Sequence, residues 1–125
     1  YCSDFELFRE HLGAFVEALV TTYRESGGPE LDAAKLRSMV ILTALEQMGS
    51  LCSAVPQILK MCPKKEWETI ENRYDPRIAK NIDDKSTLRL YLHVMNSILR
   101  IMDEMEAIGE LHTWEADVYA GQFYL

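Results

Sequence analysis

The chain has 125 residues, 48% of them hydrophobic and 26% charged, a balance that suits one globular domain and excludes a disordered polypeptide. A net charge of −7 with a pI near 4.9 argues against a nucleic-acid partner, which would require a concentrated basic surface. Three cysteines, Cys2, Cys52 and Cys62, form an odd set without CxxC spacing, so the expected setting is a reducing, intracellular and cytoplasmic one without a disulfide framework.

The first element reads as a helix from Ser3 to Tyr23. Ser3 and Glu6 have capping-box spacing, and Phe5, Phe8, Leu12, Phe15, Val16, Leu19 and Tyr23 recur at intervals of three and four. Gly27, Gly28 and Pro29 close it, since Gly27 tolerates the left-handed conformation and proline cannot continue a helix. Gly13 interrupts the stripe and is expected at a close helix contact. Asp32 caps a second helix to about Cys52. Its residues 39–45 are apolar on nearly every side, which suits the most buried helix of the fold. The longest unbroken apolar run, Met39 to Leu42, is far too short to span a bilayer, so no membrane span is expected.

Ser53 and Pro56 are expected to kink or restart the chain, and Pro63 to open a third main helix carrying Trp67, Ile70 and Tyr74. Asp75 and Pro76 begin a short turn. The stretch Asn81 to Asp84 is loop-like, with Asp83 or Asp84 as cap for a long helix bearing Leu88, Tyr91, Leu92, Met95, Ile98, Leu99, Met102, Met105 and Ile108. Gly109 should end or bend that helix. A last one covers Leu111 to Ala120, with Trp114 and Val118 on one face. No stretch alternates as a strand over four or more residues. The fold class is therefore all-α: a compact bundle of about five or six helices, three of them long, in a single domain over residues 1–125. The start at Tyr1 and the apolar, aromatic end at Gly121–Leu125 suggest a piece of a longer polypeptide.

Catalytic vocabulary is sparse. His11, His93 and His112 lack an acidic residue three positions earlier, HExxH and GxSxG are absent, and no glycine-rich phosphate loop follows a strand. No catalytic residue, cofactor ligand or metal ligand is assigned. His112 and Glu115 read as an exposed pair, Arg100 and Glu104 as an i,i+4 ion pair, and Cys52 as a buried, inert thiol. Met48, Met61, Met95, Met102 and Met105 read as core filler, with an adaptable groove for a partner helix or an apolar small ligand as the alternative. Trp114, Tyr119, Phe123 and Tyr124 crowd the C-terminal region. They are the candidate contacts to a protein partner or to the remainder of the parent chain.

The segment Phe15-Val-Glu-Ala-Leu-Val-Thr-Thr-Tyr23, followed by Arg-Glu-Ser-Gly-Gly-Pro-Glu-Leu-Asp32, resembles the late helical region of choline kinase-like and aminoglycoside phosphotransferase-like enzymes. The similarity covers about a quarter of the chain. In that superfamily a helix after the catalytic core ends in such a turn and leads into further helices. The family's catalytic-loop and metal-binding aspartates lie upstream, in motifs absent here, so none of its catalytic residues is carried over. The resemblance implies an accessory helical lobe that shapes an acceptor pocket. Three functions are expected: first, from the sparse catalytic vocabulary, a non-catalytic interaction or scaffold domain, and second, from the resemblance, that phosphotransferase lobe. An apolar-ligand-binding helical domain is the third.

Overall fold

A computed structural model describes residues 4–121. Helix α1 spans Phe5–Glu25, α2 Ala33–Met61, α3 Lys64–Trp67, α4 Leu88–Glu104 and α5 Ala107–Tyr119. A 3-10 turn over Pro76–Ile78 and a small antiparallel hairpin, β1 Asn81–Ile82 and β2 Ser86–Thr87, join α3 to α4. The architecture is all-α and compact, with three long helices, as the periodicity predicts.

Helix boundaries follow local chemistry. Ser3 lies outside the described residues, and Asp4 caps α1, its carboxylate accepting from the Glu6 and Leu7 amides at 2.9 and 3.2 Å. The Glu6 carboxylate holds Arg9 and Arg100. At the other end the Gly28 amide donates to the Tyr23 carbonyl and the Gly27 amide to the Arg24 carbonyl, each at 3.0 Å, with Gly27 at φ +89°. This paired bonding is a Schellman closure and satisfies two carbonyls that the helix end would leave open. Asp32 caps α2 through the Ala34 and Lys35 amides.

Several expectations are corrected. Helix α2 neither ends at Cys52 nor restarts at Pro56, but runs unbroken to Met61. Pro56 removes one intrahelical donor, while Ala54 and Ile58 on either side of it are buried and hold the helix in place. Pro63 opens only a four-residue helix, and residues 68–75 are irregular. Local side-chain bonds compete with the helix there: Thr69 Oγ1 donates to the Glu66 carbonyl at 2.7 Å, and Asn72 Oδ1 accepts from the Tyr74 amide at 2.9 Å.

Asp83 and Asp84 do not cap α4. Both take positive φ, +47° and +58°, at the hairpin turn, and Thr87 caps α4 by accepting from the Leu90 amide. The strands are two residues long, too short for alternation to register. Gly109 sits inside α5, and the break falls at Glu106, φ +53°. Met105 and Ala107 are buried on either side of it, so packing holds Glu106 in a conformation unfavourable for a non-glycine residue. Gly13 is not at a close helix contact, because a Cβ there would meet nothing within 4 Å.

Two hydrophobic clusters result. One gathers Phe5, Leu12, Val16, Ile41, Ala44, Ile98, Ile101, Met105 and Ala107 from α1, α2, α4 and the α4–α5 junction. The other gathers Ala54, Ile58, Cys62, Ile78 and Leu88. Helix α2 contributes to both and packs against α1, α4 and α5, so it is the central element, as its apolar circumference predicts. By length and composition alone α2 is also apolar enough to cross a membrane. Here one of its faces is the floor on which the other helices lie.

Candidate functional site

Of the predicted contact residues, Trp114 and Tyr119 lie on different sides of α5. Trp114 is half-buried and lines a groove of about 410 Å³ between α2 and α5, with Met39, Leu42, Leu45 and Leu111 as its apolar walls. Tyr119 is 84% exposed. Five residues further along the helix, it lies roughly 140° around the axis from Trp114 and shares its outward side with exposed Ile108. Phe123 and Tyr124 lie outside the described residues. One turn before Trp114, Glu110 accepts from Arg37 at 3.2 Å and from the Ser38 hydroxyl at 2.7 Å, tying α5 to α2.

The five methionines are core filler, as expected, and do not form the alternative soft groove. Met105 is buried, while Met48, Met61, Met95 and Met102 pack around the two clusters. The methionine that lines the α2–α5 groove is Met39, which the sequence places in the apolar belt of α2. Cys52 is exposed, contrary to expectation, and among the described residues the buried thiol is Cys62. His112 and Glu115 form an exposed pair at 3.8 Å. Among the described residues no group of three or more His, Cys, Asp or Glu is placed to hold a metal ion.

The first helix departs most from its sequence reading. Phe5, Leu12 and Val16 are buried, but Phe15, Leu19 and Tyr23 of the same predicted stripe are exposed at 55%, 56% and 44%. With Leu7 and His11 they form one row at four-residue spacing, Leu7–His11–Phe15–Leu19–Tyr23, the bulky ridge that helices use to pack on one another. The His11 ring lies 6.1 Å from that of Phe15. Beside this ridge runs a second row, Ala14–Ala18–Thr22, small and exposed. Both rows are readable from spacing, but only the packing reveals that they face away from the bundle.

Electrostatics fix the same helix at its start. The Arg100 guanidinium lies 4.0 Å from the centre of the Phe5 ring, donates to Glu6 at 2.5 Å and to Glu104 at 2.6 Å, and so ties α4 to α1. Hydrogen bonds from Arg100 and Arg9 hold the Glu6 carboxyl below the usual carboxylate range, and the two carboxylates raise Arg100 in turn. The predicted Arg100–Glu104 pair is thus present within a larger network. In the irregular segment, Arg77 grips Asp75 through two nitrogens and lowers its pKa to about 2.

No family model, curated protein or solved structure matches the chain. The class that can be stated is structural: an all-α helical bundle.

Proposed function

We propose that this chain is a non-catalytic helical interaction module whose α1 docks a helix of another polypeptide. One observation carries the reading: the bulky row Leu7–His11–Phe15–Leu19–Tyr23 runs beside the small row Ala14–Ala18–Thr22, and nearly all of both rows is solvent-exposed. A ridge beside a shallow furrow is the relief into which a second helix interlocks. The charge on α1 favours the kind of partner. With Glu6 and Arg9 paired, the helix carries Glu10, Glu17 and Glu25 against Arg24. In a chain of net charge −7, a second copy would bring like charge to this face. An apolar helix flanked by lysine or arginine is complementary.

The test uses two synthetic amphipathic helices with the same leucine stripe, one flanked by lysines and one by glutamates. The lysine-flanked peptide should bind and perturb amide resonances along α1. The double substitution Phe15→Ser with Leu19→Ser should weaken binding at least about tenfold while leaving helical content intact, since both side chains are already exposed. Binding that survives this double substitution, or that does not distinguish the two peptides, overturns the proposal.

A second reading is the accessory lobe of a choline kinase-like phosphotransferase, in which the Trp114 groove would help to shape an acceptor pocket. Its support is the turn Tyr23–Asp32, which here joins one helix to the next as the resemblance implies. Binding of ATP and Mg²⁺ by the full-length polypeptide would favour it over a non-catalytic module, and failure to bind would remove it.

A further inference from the structure

Charge is unevenly distributed along this acidic chain. Residues 60–89 hold eight of its thirteen lysines and arginines but only six of its twenty acids. That stretch is net positive while the remainder carries all of the negative excess. Arg9, Arg37, Arg77 and Arg100 each hold a carboxylate. Arg73 and Arg89 hold none among the described residues. Both instead lie near the ring of Tyr74, 5.9 and 5.6 Å from its centroid, and both line the same cleft.

Beside them is a cleft of about 300 Å³ between residues 70–78 and the first turns of α4. Arg73, Arg89, Asn72 and His93 supply its polar lining, and Ile78 and Leu92 its apolar floor. Arg89, which lines the cleft, is half-buried, and its Nε atom has no hydrogen-bond partner. A buried donor without an acceptor is costly, so Arg89 has hydrogen-bonding capacity that the protein itself leaves unused. Arg89 also belongs to the first turn of the seventeen-residue α4, where the helix adds positive potential. Glu71, the one acid in the lining, opposes an anion but is outnumbered by the two guanidiniums.

We propose that this cleft binds a small phosphoryl dianion, either free phosphate or a simple phosphate ester, with Arg73 and Arg89 as its two clamps. Planar guanidiniums match the oxygens of a phosphoryl group in pairs, which lysine cannot do. The cleft shares no residue with the α1 rows, so the two proposals fail or stand separately.

The experiment titrates the 125-residue chain at low ionic strength with inorganic phosphate, with glycerol phosphate, and with acetate as the singly charged control. It follows the arginine Nε–H resonances. Both phosphates should produce saturable shifts at Arg73 and Arg89, and acetate at equal ionic strength should not. Arg89→Lys and Arg73→Lys, which keep the charge, should each weaken phosphate binding roughly tenfold or more. Lys64→Gln, which removes a charge elsewhere in the same segment, should change it less than about twofold. Glu71→Gln should strengthen it. Because Arg73 is exposed, its substitution keeps the test open even if Arg89→Lys fails to fold. Tighter binding of the ester than of inorganic phosphate assigns the ester as ligand, and the reverse assigns the free ion. The inference is overturned if neither phosphate saturates, if acetate binds equally, or if Lys64→Gln costs as much as the arginine substitutions.

Discussion

Two neighbouring residues of α4 test the arrangement of the bundle. Ile98 is fully buried in the first cluster, whereas Leu99 is 53% exposed. Ile98→Ala removes three carbons. At about 0.8 kcal/mol per buried methylene the lost transfer energy is about 2.4 kcal/mol. A partly relaxed cavity brings the total to about 3.5 kcal/mol, within the usual range for such truncations. An unfolding entropy of about 2.1 cal/mol/K per residue amounts to about 0.26 kcal/mol/K for this chain, so the melting temperature should fall by about 13 °C. Leu99→Ala should cost no more than about 0.5 kcal/mol, or about 2 °C. Thermal unfolding followed by circular dichroism, with urea titration as a second measure, reads both. Equal losses at the two positions, or a larger one at Leu99, would refute the register of α4 and with it the composition of the first cluster.

Ser97 is buried, and its hydroxyl has no hydrogen-bond partner. Ser97→Ala should therefore stabilise the fold by about 1 kcal/mol, raising the melting temperature by about 4 °C in the same assay. The Asp75 carboxyl, lowered from 3.8 to about 2 by hydrogen bonds and charge from Arg77, contributes stability that is fully present above pH 3.8 and is lost as pH falls through 2. Its carboxyl carbon resonance should titrate near 2 and move back towards 3.8 in Arg77→Met. Gly27→Ala places a side chain at φ +89° and should destabilise by about 1–2 kcal/mol, measured by urea unfolding.

What the sequence makes legible is chiefly local. The Asp32 cap, the Gly27 stop and most of the α4 stripe depend on residues within a turn or two of one another, and the structure places them as spacing predicts, although Leu99 is exposed and Ile108 falls in α5. Features set by distant neighbours escape. Nothing local distinguishes Leu99 from Ile101, yet Ile101 is buried and Leu99 is not, because α1 and α2 cover one side of the helix only. The same holds for Cys52 and Cys62. Pro56 reads as a breaker until the burial of Ala54 and Ile58 is known. At the candidate sites, aromatic content points to Trp114 and Tyr119 but not to their opposite orientations. The stripe of α1 is visible, while the exposure of half of it is a property of what packs on α1. The Arg73–Tyr74–Arg89 grouping is hidden because fourteen residues, a hairpin among them, separate Tyr74 from Arg89.

The passage of α2 through both hydrophobic clusters gives the molecule a seam. Pro56 leaves the helix one amide short near the point where the helix leaves the first cluster for the second. Residues 54–62 with the 70–92 segment therefore form a natural unit for partial opening, with the remainder of the bundle still closed. All of the arginine cleft but His93 belongs to that unit. A ligand seated there would be felt as added protection of one half of the protein, so amide exchange on the far side of Pro56 should slow while α1 exchanges as before.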